Sequence, residues 1–271
     1  VFFADRGQIM SEKSIGASEP IYFTECGSGP PLLLIHGLLV TGEMFRDIMG
    51  PLAENHRLIV PDLRGSGGSR NLPPPYTVKQ QASDLAQLLN HLKIESADVL
   101  GYSQGGPVAQ QLAIDYPTMV HLLILSNTYA HNMGTTSETI EGRLFPLLIR
   151  IMGLQRFVKF VRTAMDKETR ERTEWLSKIM SEQDQKIMIT AWKEAMAFDS
   201  RHDLGRIKCP TLIIAGEKDQ AVPTYHAEML HEGIKGSKLV VIEGADHDLI
   251  WAHPDKWLRT VTEFIQGANQ S

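Results

Sequence analysis

The sequence predicts an α/β protein: a doubly wound, mostly parallel sheet with a helical block inserted late in the chain. Three observations predict it. Short, nearly unbroken apolar runs recur along the chain, helical periodicity fills the intervals between them, and the stretch 131–200 is helical throughout. Strands covered on both faces read as continuous apolar runs rather than as alternations. Alternating strands and helices supply the crossovers that parallel strands need. The block at 131–200 is expected to lie over one edge of the sheet as a helical cap, inserted before the strand near 211. The division is therefore 1–130 and 201–271 for the core, and 131–200 for the cap.

The strands are read at 32–35, 58–60, 97–100, 122–125, 212–214 and 239–242, each bounded by Gly, Pro or Asp and each expected to be buried. Thr77 is placed as the N-cap of a helix whose Val78, Ala82, Leu85, Leu89 and Leu92 recur at three- and four-residue steps. Val108, Leu112, Ala113 and Tyr116 repeat the pattern, and Pro117 closes that helix. Two further helices are expected over 222–232 and 254–265. Within the block, Leu144, Leu147, Leu148 and Ile151 form one apolar series, and Phe157, Phe160 and Val161 another. Six of the eleven methionines fall there: Met133, Met152, Met165, Met180, Met188 and Met196. They read either as filler in an irregular helical core or as an adaptable apolar surface.

A chain of 271 residues can bury a large core without disulfides or a structural metal. Its net charge of −5 offers no general attraction to nucleic acid or anionic lipid, so neither partner is expected. Cys26 and Cys209 are too few for a disulfide framework and stand in no metal-ligand spacing. They read as reduced thiols, which fits a cytoplasmic setting. The opening residues 1–8 lack the basic-then-apolar order of an export signal. The apolar run at 32–40 is too short to span a bilayer.

The sharpest chemical motif is Gly101-Tyr102-Ser103-Gln104-Gly105, set between a strand and a helix. A serine on so sharp a turn holds strained backbone angles, and glycines two residues either side remove side chains that would clash. The following helix points free N–H groups and partial positive charge at the serine. By itself G-x-S-x-G is a modest pattern; between a strand and a helix it specifies a nucleophile elbow.

A serine hydroxyl needs a base to take its proton. Of ten histidines, His247 follows the last strand in the loop Gly244-Ala245-Asp246-His247, which suits the order serine, acid, histidine. His253 is placed in a capping or surface role, and His226 and His231 on a helix at a spacing that does not align them for a metal. Asp219 follows the strand at 212–214 in the turn Gly216-Glu217-Lys218-Asp219 and is the candidate acid. After the strand at 122–125 stands Ser126-Asn127-Thr128, with no carboxylate. Asp246 and Asp248 adjoin His247 too closely to reach its ring productively, and Glu217 reads as solvated.

Oxyanion stabilisation is assigned to the backbone N–H groups of Leu38 and Gln104. His36 then becomes a hydrogen-bonded support and Gly37 a tight-turn residue. The glycine-rich loop 62–69 lacks a phosphate-loop ending, and Asp62 and Arg64 are expected to tie it down. Trp192, Met196 and Phe198 are candidates for an apolar substrate pocket. Trp251, four residues past His247, either shields the base from water or packs.

Five motifs in order carry a family resemblance: His36-Gly37, the loop 62–69, the elbow 101–106, the turn 216–219 and the turn 244–247. On these the chain resembles the α/β-hydrolase superfamily along nearly its whole length. Ser66 stands where that family's loop usually carries histidine, and extra residues fall between Met10 and Pro20, within the usual opening strand pair. The resemblance implies a serine hydrolase with Ser103, His247 and Asp219 as triad and no metal or organic cofactor. Serine at the elbow separates it from haloalkane dehalogenases and epoxide hydrolases, which carry aspartate there. Among capped members it is most similar to small-ester hydrolases and lactonases. That implies a carboxylic ester or lactone as substrate, with N-acyl-homoserine lactones, and hence quorum quenching, as a candidate. A monomer or homodimer without membrane or nucleic-acid partner is the implied form. A carbon–carbon bond hydrolase and a slow-turnover small-molecule receptor stay open as alternatives; cofactor-free perhydrolysis is disfavoured by the helical block.

Overall fold

The computed structural model describes residues 11–15, 21–164 and 170–268. The reading of 1–8, Met165, and the part of the extra opening residues at 16–20 lie outside them. Eight strands form one sheet: β1 (Ser11–Ile15), β2 (Ile21–Cys26), β3 (Pro31–Ile35), β4 (Arg57–Pro61), β5 (Ala97–Tyr102), β6 (Val120–Ser126), β7 (Thr211–Gly216) and β8 (Lys238–Ile242). Their order is β1-β2-β4-β3-β5-β6-β7-β8, with β2 antiparallel to both its neighbours, β1 and β4, and the remaining neighbours parallel. The chain goes from β3 outward to β4 and then back across to β5. At such a switch point the carboxyl ends of β3 and β5 open a crevice.

The helices are α1 (Arg46–Ala53), α2 (Val78–His91), α3 (Gly105–Asp115), α4 (Thr136–Met152), α5 (Leu154–Ala164), α6 (Arg170–Ser181), α7 (Gln185–Ala197), α8 (Tyr225–Gly233), α9 (Leu249–Ala252) and α10 (Pro254–Ala268). Strand side chains alternate between faces. Leu33 and Ile35 of β3 therefore join Val99, Leu123 and Ile213 under α2, α3 and α8, where Leu85, Leu112 and Leu230 meet them. Leu32 and Leu34 point the other way, with Leu100, Ile124 and Ile214, onto Ile48 and Leu52 of α1 and Trp257, Val261 and Ile265 of α10. Both faces are apolar because both are covered.

Thr77 caps α2 as its sequence position predicts, its side chain accepting from the Gln80 N–H at 3.1 Å. Two expectations are corrected. The strand at 239–242 is not wholly buried: it is the sheet edge, and Lys238 and Val241 are exposed. The helix placed from residue 222 begins at Tyr225, because the Asp219 carboxylate engages the N–H groups of Ala221 and Val222 in a turn of their own.

Helices α4 to α7 stand between β6 and β7. Thr135 and Glu138 form a reciprocal capping box at the start of α4, and Asp184 caps α7. Ile149, Leu154, Phe157, Val158, Met188 and Ile189 build a small core that also takes in Leu39 from the loop after β3. Leu176 and Ile179 of α6 join the α1/α10 side of the sheet. Met188 and Met196 are buried and Met133, Met152 and Met180 half-buried, so these five fill packing rather than present an open surface. No described helix is long and apolar enough to cross a membrane.

Candidate active site

Ser103 sits between β5 and α3 with φ of +52°, in the left-handed region that non-glycine residues rarely adopt. The glycines around it are required by close approach. A Cβ on Gly105 would lie 2.1 Å from the Ile35 carbonyl oxygen, and one on Gly101 2.5 Å from that of Gly105. Gly106 belongs to the same set: its Cβ would meet Thr128 Oγ1 at 2.0 Å. The turn is pinned by Ser103 N–H donating to the Ser126 carbonyl at 3.0 Å and by the Thr128 hydroxyl donating to the Ser103 carbonyl at 2.7 Å.

The loops after β7 and β8 bring the other two residues to it. Lys218 N–H donates to the Ala245 carbonyl at 2.8 Å, and a Cβ on Gly216 would sit 2.6 Å from that same oxygen. Across this seam His247 Nδ1 lies 2.8 Å from Asp219 Oδ2, and His247 Nε2 lies 3.1 Å from Ser103 Oγ. A carboxylate only accepts, so the proton on the ring is on Nδ1 and the Nε2 lone pair faces the serine hydroxyl. The Asp219 side chain has no exposure, whereas that of His247 is 30% exposed. Burying a carboxylate demands donors, and Asp219 has four: Ala221 N–H at 2.9 Å, Val222 N–H at 2.8 Å, Asn127 Nδ2 at 2.9 Å and the His247 ring.

Asn127 is the residue that sequence reasoning missed. It takes the position after β6 that was noted only for lacking a carboxylate, with φ of +49°. Trp257 Nε1 donates to Ser126 Oγ at 3.1 Å, Ser126 donates to Asn127 Oδ1 at 3.0 Å, and Asn127 donates to Asp219. The polar chain thus runs from the buried indole of α10 to the serine hydroxyl.

The N–H groups of Leu38 and Gln104 have no hydrogen-bond partner among the described residues. The loop carrying Leu38 is held close: a Cβ on Gly37 would be 3.2 Å from that of Ser103. His36 supports it, one ring nitrogen 2.7 Å from the Gly37 carbonyl and the other accepting from Leu63 N–H at 2.8 Å. Burial holds the His36 pKa below the ordinary histidine value against the pull of Asp62, so the ring is neutral. Asp62 accepts from Gly42 and Gly68 N–H, and Arg64 grips Asp84 with two nitrogens at 2.7 Å.

Of the four pocket candidates, Trp192 and Met196 meet at Gly142, while Phe198 and Trp251 pack on opposite faces of the sheet. The Trp192 indole donates to the Gly142 carbonyl at 2.8 Å and its ring stacks on Phe145 at 3.7 Å, between α7 and α4. Met196 packs beside Gly142, and Phe198 against the α2/α3/α8 side of the sheet. Trp251 is buried on the opposite side, its indole donating to the Met44 carbonyl at 2.9 Å. Its ring lies 6.2 Å from that of Tyr102, whose hydroxyl donates to the His247 carbonyl. Trp251 therefore packs beneath the histidine loop. Glu217 is exposed yet engaged, accepting from Gly244 N–H at 2.9 Å.

A second polar cluster escaped the sequence reading. His226, placed there simply on a helix, is wholly buried, and its Nε2 lies 2.9 Å from Glu138 of α4, which also accepts from Tyr225. Burial lowers the His226 pKa, with Glu138 opposing. Burial would raise that of Glu138, but hydrogen bonds from Tyr225, the Thr135 N–H and His226 prevail and lower it. A cavity of about 390 Å³ between α5 and α6, lined by Gln155, Val158, Lys159 and Ser181 among others, shares no residue with the Ser103 site.

With the geometry in place, known proteins supply the family. Residues 30–254 match the family model described as alpha/beta hydrolase fold. The chain is 27% identical over 248 residues to a putative carbamate hydrolase RutD of Azorhizobium caulinodans, covering 89% of this chain and 92% of that protein. It is 29% identical over 243 residues to a pimeloyl-[acyl-carrier protein] methyl ester esterase of Neisseria meningitidis, covering 86% and 93%. An esterase from Exiguobacterium antarcticum superposes with a TM-score of 0.87 at 24% identity, covering 95% of this chain and all (100%) of that one. The chain belongs to the alpha/beta hydrolase fold family.

Proposed function

We propose that this protein is a serine hydrolase that cleaves a carboxylic ester or lactone through an acyl-enzyme. The observation that carries the reading is the continuous hydrogen-bonded path from Asp219 through His247 to Ser103. His247 Nε2 takes the hydroxyl proton as Ser103 Oγ bonds to the carbonyl carbon, and Asp219 stabilises the resulting imidazolium. The oxyanion is held by the free N–H groups of Leu38 and Gln104, the latter at the start of α3. The imidazolium then protonates the leaving alcohol as its bond to carbon breaks. Water, deprotonated by His247, attacks the acyl carbon; the bond from that carbon to Ser103 Oγ then breaks, the imidazolium returns its proton to Ser103, and the carboxylic acid leaves. In this reading 131–200 acts as a cap that excludes water above Ser103, and residues 1–130 with 201–271 form the core.

The methyl ester esterase relative supports an ester as substrate. A test of substrate class compares p-nitrophenyl esters of graded acyl length with N-acyl-homoserine lactones of graded acyl length. Turnover of either series supports the reading, and their ratio assigns ester or lactone. Turnover of a vinylogous diketone with neither series cleaved would replace it by carbon–carbon bond hydrolysis. A single covalent adduct on Ser103 without sustained turnover would replace it by a receptor.

A further inference from the structure

The net charge of −5 averages over a face of opposite character. Helix α4 turns Gly142, Pro146 and Ile149 inward, where they are buried. By the 3.6-residue repeat, Ile140, Leu144, Leu147, Leu148 and Ile151 fall on the other side. All five are exposed, from 38% at Leu148 to 72% at Ile151. Scattered exposed aliphatics are ordinary; five along one stripe form a contiguous patch. Arg143 and Arg150 border that stripe. Both are exposed, and neither makes an ion pair or hydrogen bond among the described residues. On the next helix Arg156 and Lys159 are exposed too, Lys159 toward the cavity between α5 and α6. Across 139–160 the cations are Arg143, Arg150, Arg156 and Lys159, and the single carboxylate is Glu141.

We propose that this face of α4 docks on the surface of an anionic lipid bilayer. The surface needs an occupant that is both apolar and negative. A helix lying in the bilayer interface buries aliphatic side chains at the acyl boundary while bordering cations meet lipid phosphates. A second copy of this chain fits less well. In an antiparallel two-fold pairing the same flank of each helix meets its equivalent, which sets Arg143 and Arg150 against like charge. The absence of a membrane-spanning helix is compatible with docking, because an interfacial helix rests on the bilayer without crossing it. The inference goes beyond the hydrolase reading and does not depend on it.

The test is co-flotation of the full chain with vesicles of phosphatidylcholine alone and with about one-third phosphatidylglycerol. Binding is expected to the anionic vesicles, to weaken with added salt, and to be marginal on neutral ones. Arg143→Gln with Arg150→Gln should weaken it on the order of 30-fold, from two cations near the surface. Leu147→Asp with Ile151→Asp should abolish it, while hydrolysis of a water-soluble ester and the circular dichroism spectrum stay unchanged. Equal binding to both vesicle types, or to neither, would overturn the proposal. A wild-type dimer that Leu147→Asp dissociates would overturn it too, assigning the stripe to self-association.

Discussion

Replacing Asn127 by leucine tests whether the acid is held by its neighbours. The change keeps the heavy-atom count and the branching at Cγ but removes the Nδ2 donor at 2.9 Å from Asp219 and the acceptor at 3.0 Å from Ser126. Asp219 would keep three of four donors. A hydrogen bond to a charged group contributes about 1.5–3 kcal/mol, and the orphaned Ser126 hydroxyl adds about 1 kcal/mol. If the donor orients Asp219 in the transition state, kcat/KM falls roughly 10- to 150-fold, at about 1.36 kcal/mol per tenfold. Leucine also carries the strain of φ +49°, so Asn127→Gly, which accepts that angle freely, separates backbone cost from the lost bond. Turnover of p-nitrophenyl acetate, with urea unfolding in parallel, reads both effects. A folded Asn127→Leu protein with kcat/KM within about twofold of the parent would refute the reasoning, since that margin is well below one hydrogen bond.

Gly105→Ala places a methyl group 2.1 Å from the Ile35 carbonyl oxygen, which is strand backbone and cannot swing aside. The melting temperature should fall by on the order of 5–10 °C, from about 3 kcal/mol of overpacking; an unchanged melting curve would show that the elbow and β3 are not in contact. His36 has a folded pKa below its unfolded value because burial disfavours the charged ring, and the same holds for His226. The unfolded chain then binds more protons, so stability is complete above about pH 6.5 and is lost as pH falls below it toward the folded pKa. Urea unfolding from pH 7.5 down to 5.5 should show that loss, and His36→Gln should make it shallower by up to about 1.4 kcal/mol per pH unit. Identical slopes would exclude His36 as a contributor.

The buried parallel strands were legible because both faces of the sheet are covered, which leaves no polar residue to blur the run. β8 was misjudged for the same physical reason: at an edge, Lys238 and Val241 need no cover. Ser103, His247 and Asp219 were legible as a set because each sits in a turn directly after a strand, where the fold delivers side chains to one rim. Asn127 also follows a strand, but its partner is 92 positions away, and an asparagine between serine and threonine reads as any turn. His226 was opaque because its carboxylate partner comes from a different helix, 88 positions upstream. Trp192 and Trp251 were chosen for size alone; what the sequence does not show is the backbone carbonyl each indole N–H engages, that of Gly142 and that of Met44.

The most direct measurement is ester turnover by Ser103→Ala alongside mass-spectrometric mapping of a fluorophosphonate adduct. The proposed mechanism predicts one adduct per parent chain, on Ser103, none in the variant, and kcat lowered by around 10⁶-fold. Near-parental turnover by Ser103→Ala, or an adduct at another side chain, would contradict it.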